Sequence, residues 1–219
     1  MLKQRDDLIT ITDPKSPVSE AYRTLRTNIQ FSSLDKPLRT LLLTSTGPDE
    51  GKSTTLANLG ITFAQAGNRV ILVDCDLRRP SLHEIFGLDN ATGLTNLFIE
   101  ETAGNLPLQS TSVANLRVLT AGQLPPNPSE LLGSRRLEKI IEILKTEADF
   151  VLFDSPPIIA VTDAAVLARK VDGVLLVISA GKTKRDRAVK ARLVLEKVNA
   201  NILGVVLNNV KLDRTLYGY

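Results

Sequence analysis

Residues 41–60 read LLLTSTGPDEGKSTTLANLG, and no other stretch restricts the possible fold as much. An apolar strand runs into a tight glycine-containing loop, and Gly51-Lys52-Ser53-Thr54 opens a helix. Loop amides and the first N–H groups of a helix point outward together, so this arrangement cradles phosphate. The Lys52 ammonium can reach the outer phosphates, the Ser53 hydroxyl can ligate Mg²⁺, and Thr54 can donate to the inner phosphate. The candidate nucleotide-binding set is therefore Gly47, Pro48, Asp49, Glu50, Gly51, Lys52, Ser53 and Thr54. One position departs from the strict pattern G-x-x-x-x-G-K-[ST]. Thr46 stands where the first glycine belongs, and Gly47 is displaced by one. The strand–loop–helix context carries the reading in spite of this.

The rest of the chain supplies the sheet such a loop needs. Leu38–Thr44, Arg69–Asp74, Leu116–Thr120, Asp149–Asp154, Gly173–Ser179 and Ile202–Leu207 are short apolar runs without polar alternation. Strands of that kind belong in a parallel sheet covered on both faces. Helical spacing falls between them, at Lys52–Ala66, Ser129–Lys145, Asp163–Lys170 and Lys184–Val198. Strand–helix alternation with right-handed crossovers predicts an α/β fold: a doubly wound, mostly parallel sheet of P-loop NTPase type with helices on both faces. A further helix, Ser16–Phe31, precedes the alternation, and Ala121–Pro128 (AGQLPPNP) reads as a loop. Lys211–Tyr219 lacks apolar periodicity and is expected to be a mobile tail.

Composition excludes several classes. With 27 Lys and Arg against 24 Asp and Glu, the net charge of +3 is too small to imply a nucleic-acid partner. Cys75 is the single cysteine, which rules out an intramolecular disulfide and a cysteine-based metal cluster within one chain. No secretory h-region follows the first basic residue, and no apolar run is long enough to span a bilayer. A cytoplasmic location is expected, with any membrane attachment made through a partner.

Three carboxylates complete the candidate site. VILVDCDLRRP places Asp74 and Asp76 at the end of a buried strand, where open α/β sheets bind ligands. If the first two strands are near neighbours, both carboxylates face the loop. They can then hold a hydrated Mg²⁺ or take a proton from an attacking hydroxyl. FVLFDSPP ends a third strand in Asp154, a Walker B arrangement, with Pro156 and Pro157 closing the pairing. The catalytic candidates are thus Lys52, Asp74, Asp76 and Asp154, and the metal candidates are Ser53, Asp74 and Asp154. Asn208 follows the last strand, where an amide can read the adenine edge. His83, in SLHEIF, and Cys75, alternating away from its neighbours, are read as structural.

GPDEGKST, ILVDCDLRRP and FVLFDSPP, in this order and spacing, resemble the motifs of the bacterial tyrosine kinases (BY-kinases) of capsule and exopolysaccharide synthesis. The resemblance implies an ATP- and Mg²⁺-dependent protein-tyrosine kinase that autophosphorylates between chains. Position 49 is Asp where that family often has Gly. Glu20, Arg23 and Arg26 fall three apart on one helix face, similar to the family's E-x-x-R-x-x-R segment, which contacts the next subunit of a ring. The closing DRTLYGY carries Tyr217 and Tyr219, which the resemblance implies are phosphoacceptors. It also implies protein tyrosine substrates and a transmembrane activator of polysaccharide co-polymerase type. The expected organisation is one kinase domain: residues 1–36 for oligomerisation, 37–210 for the nucleotide-binding core and 211–219 for the tail. The main rival is a partitioning or positioning ATPase, whose K-G-G-x-G-K loop would need Lys where Gly47 stands. A nucleotide-gated scaffold without chemistry is a third reading.

Overall fold

The computed structural model describes residues 8–32, 38–99 and 106–210. The expected mobile tail, with Tyr217 and Tyr219, lies outside the described residues. The chain runs α1 (Ile9–Thr12), α2 (Pro17–Phe31), β1 (Thr40–Ser45), α3 (Lys52–Gln65), β2 (Val70–Asp74), α4 (Leu82–Phe86) and α5 (Asn96–Ile99). It continues with β3 (Gln109–Ser110), β4 (Leu116–Leu119), α6 (Pro128–Gly133), α7 (Arg135–Glu147), β5 (Phe150–Asp154), α8 (Asp163–Ala168), β6 (Gly173–Ser179), α9 (Arg185–Lys197) and β7 (Ile202–Asn208).

The strands form one sheet in the order β3-β4-β2-β5-β1-β6-β7. Among the described strands only β3, a two-residue edge strand absent from the sequence reading, pairs antiparallel. The doubly wound expectation is met, because each central strand feeds a different face of the sheet with alternate residues. Leu41, Leu43, Leu72 and Leu152 pack under α3 and α4. Leu42, Ile71, Val151 and Phe153 pack under α7, α8 and α9. Two buried faces leave no polar alternation, which is why these strands read as continuous apolar runs. Close approach of α3 to the sheet depends on Gly60, since a Cβ there would stand 2.6 Å from Leu72 Cδ2.

Two expectations need correction. β1 and β2 are not neighbours: β5 lies between them, with Leu43 and Asp74 both in register with Asp154. The single helix expected over Ser129–Lys145 is two helices. Ser134 breaks the run in an extended conformation, and its hydroxyl accepts the Leu137 N–H to start α7. The helix α2 is capped the same way, by Ser16 accepting from Ser19 N with Pro17 at the first turn.

Candidate nucleotide site

The loop between β1 and α3 is held from within by one acid. The Glu50 carboxylate is buried and accepts from Thr46 N at 2.8 Å, Gly47 N at 3.1 Å and Thr46 Oγ1 at 2.7 Å. Thr183, just before α9, donates its hydroxyl to the same carboxylate. This explains Thr46. The residue is not in the left-handed region, so glycine is not required, and its hydroxyl adds a bond glycine lacks. Left-handed backbone occurs instead at Asp49, with φ 56°, and at Gly51, with φ 84°. Aspartate tolerates that conformation better than most side chains. At Gly51 a Cβ is excluded twice over, because it would stand 2.0 Å from Asn208 Nδ2.

The chemistry-bearing groups converge at the carboxyl ends of β2 and β5, beside the first turn of α3. Lys52 Nζ lies 3.1 Å from Asp154 Oδ2, 3.1 Å from Asp76 Oδ2 and 3.0 Å from Ser53 Oγ. Ser53 Oγ donates to Asp154 Oδ2 at 2.5 Å. Burial works against the Lys52 charge, but the Asp154 and Asp76 carboxylates outweigh it and hold the ammonium above its ordinary pKa. Asp154 is fully buried, and burial raises its own pKa against the pull of Lys52 and Ser53. The ammonium therefore stands as counter-ion to two acids that are costly to keep charged without one.

Asp74 and Asp76 do not act as a matched pair. Asp76 lines the cavity, which measures about 580 Å³ and is bounded by the loop, Arg79, Ser81 and α4. Asp74 is withdrawn from it. Its Oδ2 accepts from Ser81 N and Leu82 N, both at 2.9 Å, and its Oδ1 accepts from Asp76 N at 3.2 Å. Burial and then the nearby Asp154 charge push the Asp74 carboxyl up to about 7. Between them, Cys75 faces the core and burial drives its thiol well above the ordinary range.

The remaining candidates fall in three places. Gly47, Pro48, Asp49, Gly51, Ser53 and Thr54 line the cavity, whereas the Glu50 side chain turns into the loop. Asn208 sits on the loop's flank: its Nδ2 donates to the Glu50 carbonyl at 3.1 Å, and its Oδ1 accepts from Asn209 N. On α2, Arg23 bonds Glu20 at 2.7 Å, while Arg26 turns inward and donates to the Thr62 carbonyl at 2.8 Å. Arg78, which follows the two strand-end acids, pairs with the buried Asp163 at 2.9 Å and ties the turn after β2 to α8. Sequence reasoning missed the brace supplied by Glu50, whose signal is an acid four residues after a hydroxyl in a loop that binds anions.

Residues 39–214 match the ParA family model, described as NUBPL iron-transfer P-loop NTPase. Tyrosine-protein kinase YwqD of Bacillus subtilis is 43% identical over 218 residues, covering 99% of this chain and 92% of that protein. Among solved structures, the chimerical protein CapA2B2 superposes with a TM-score of 0.90 at 38% identity, over 94% of this chain and 91% of that one. The kinase domain of the Escherichia coli tyrosine kinase ETK gives 0.88 at 34% identity, over 93% and 80%. The septum site-determining protein MinD of Pyrococcus horikoshii, complexed with Mg-ADP, is more distant, at 0.63 and 26% identity over 77% and 69%. With 43% identity sustained along almost its whole length, this chain belongs to the bacterial tyrosine-protein kinases, within the ParA-type P-loop NTPases.

Proposed function

We propose that the chain is an ATP-dependent protein-tyrosine autokinase of capsular or exopolysaccharide synthesis that modifies C-terminal tyrosines of a neighbouring copy. The observation that carries the reading is the convergence of Lys52, Ser53, Asp76 and Asp154 at one wall of the loop cavity.

Magnesium fits this donor set. Ser53 Oγ and Asp154 Oδ2 are adjacent hard oxygens, and Lys52 already places a positive charge beside them. Mg²⁺ binds through one or two protein oxygens plus substrate phosphates and water. Among the described residues no group of three or more His, Cys, Asp or Glu side chains forms a protein-only cage. The metal, when bound, offsets the charge that develops on the transferring group.

The protein's own steps follow. Loop amides and Lys52 hold the phosphates, with Lys52 exchanging its carboxylate partners for phosphate oxygens. A tyrosine hydroxyl approaches in line. Its oxygen forms a bond to the γ-phosphorus as the bond to the bridging oxygen breaks, and ADP leaves with that electron pair. The phenolic proton passes to Asp76, which faces the cavity, rather than to Asp74, whose two oxygens are occupied by backbone N–H groups. Asp74 instead fixes the turn that presents Asp76. Asn208 first braces the loop; reading a base would require it to release the Glu50 carbonyl.

Reaction between copies gives roles to the other candidates. Tyr217 and Tyr219 are the proposed acceptors. Glu20 and Arg23, at the surface of α2, are the proposed subunit contacts, and Arg26 seats α2 on α3. A transmembrane activator would bring the 37–210 core to the inner face of the membrane. The positioning-ATPase alternative is weakened by position 47, where its K-G-G-x-G-K loop carries Lys and this chain has Gly.

Incubation of the chain with ATP and Mg²⁺, followed by phosphosite mapping, tests the reading. Phosphate on Tyr217 or Tyr219, lost in Lys52→Met, is expected. ATP consumption without phosphotyrosine, with and without an activator's cytoplasmic segment, would transfer the assignment to a switching ATPase.

A further inference from the structure

The chain's small positive charge conceals a strong asymmetry. Residues 182–197 hold seven of the 27 Lys and Arg and two of the 24 Asp and Glu. That stretch therefore carries +5, and the rest of the chain −2. It comprises the turn after β6 and the whole of α9.

The helix packs inward through Ala191 and Leu195. Its outward face is not a plain solvated one. Val189 and Leu193, one turn apart, are 41% and 45% exposed at the centre of that face. At 100° per residue, Arg185 and Arg192 with Glu196 flank them on one side, and Asp186 with Lys190 and Lys197 on the other, so the face carries four cations against two acids. The one ion pair among these groups in the described residues is Arg192 with Glu196, an exposed contact of 3.5 Å. Such pairs contribute little to stability, and the two acids reduce the positive charge of the face without cancelling it. On the same face of the sheet that α9 packs against, Val205 and Leu207 of β7 lie opposite Leu176 and Ile178. They are 56% and 54% exposed.

Exposed aliphatic side chains set between long cationic stems match a helix lying in the plane of a bilayer surface. Apolar groups enter the acyl boundary while ammonium and guanidinium groups meet anionic headgroups. A nucleic-acid backbone would answer the charge but leave Val189 and Leu193 unused. We propose that the outer face of α9 is a direct docking surface for anionic phospholipid, separate from any protein activator.

The test is flotation of the full chain with vesicles of phosphatidylcholine alone or mixed with phosphatidylglycerol. Lys182 and Arg187 stay untouched, because Lys182 donates to the Asp49 carbonyl and Arg187 lies against Gly47. Lys190→Glu, Arg192→Glu and Lys197→Glu combined should weaken binding to the mixed vesicles by about a hundredfold or more, at roughly 1 kcal/mol for each basic residue lost near the surface. Val189→Ser with Leu193→Ser should weaken it about tenfold, in line with the lost apolar burial. ATP turnover should match the wild type in both variants, which confirms folding. No flotation of the wild type with the mixed vesicles would overturn the proposal. So would charge-reversed protein that floats equally well. Binding to duplex DNA that the serine variant retains in full, with no lipid binding by the wild type, would reassign the surface to nucleic acid.

Discussion

Glu50 and Asp154 are both buried carboxylates beside the same loop, and they are satisfied in opposite ways. Glu50 takes its hydrogen bonds from neutral groups: two backbone N–H groups and the hydroxyls of Thr46 and Thr183. Asp154 is held by an ammonium and by a hydroxyl that can turn away. The first set of donors is built into the chain's path and has nowhere else to go. The second set consists of mobile ends that an incoming phosphate and cation can take over. One acid thus serves geometry and the other exchange, although burial alone would class them together.

The largest expected effect is on the exchanging acid. Asp154→Asn should lower phosphoryl transfer by about 10²–10³-fold in single-turnover measurements. Its circular dichroism should match the wild type. A loss of less than tenfold would erase the distinction, because Asp154 would then be one more structural acid. Glu50→Gln should act the other way round. An amide presents donors to donors, leaving buried groups unpaired at a cost of about 1–3 kcal/mol in urea unfolding. An unchanged unfolding midpoint would show that the loop does not depend on this brace.

Much of this was legible in the sequence. Apolar strand cores, the Gly51–Ser53 helix start and the strand-end acids are local features, and local features survive in a linear reading. Asp74 and Asp76 looked equivalent because period 2 fixes the side of a strand but not where the chain turns next. The turn after β2 brings Ser81 N and Leu82 N onto Asp74 alone. The place of β5 between β1 and β2 was hidden for a related reason, since strand order is set by crossovers rather than by any strand's composition. Arg26 looked like a surface residue by spacing, and only the packing of α2 on α3 gives it the Thr62 carbonyl.

Asp74 sharpens the comparison through pH. Its carboxyl is raised from 3.8 to about 7, so the folded state favours the protonated form. The stability this contributes is complete below about 3.8 and is lost as pH rises through about 7. In the nucleotide-free protein, Asp74→Asn should flatten the decline in unfolding free energy across that window. An identical slope in the variant would locate the titration elsewhere. The smallest effect belongs to Asp49, left-handed at φ 56°. Asp49→Gly should stabilise the chain by up to about 1 kcal/mol, seen as a rise in Tm of roughly 2–4 °C. A fall in Tm would mean that the aspartate side chain makes a contact worth more than the strain.

Thr46 and Glu50 have a consequence for how such a chain can change over time. The backbone at position 46 is not left-handed, so it admits a side chain, and a polar one buried there needs a partner. Threonine at 46 is admissible because Glu50 is there to receive its hydroxyl and its N–H. The two positions are therefore unequal: exchanging Glu50 first strands the Thr46 hydroxyl, whereas replacing Thr46 by glycine first keeps the bonds from both backbone N–H groups to Glu50. The order of substitution is constrained even though each position, taken singly, looks like ordinary loop variation.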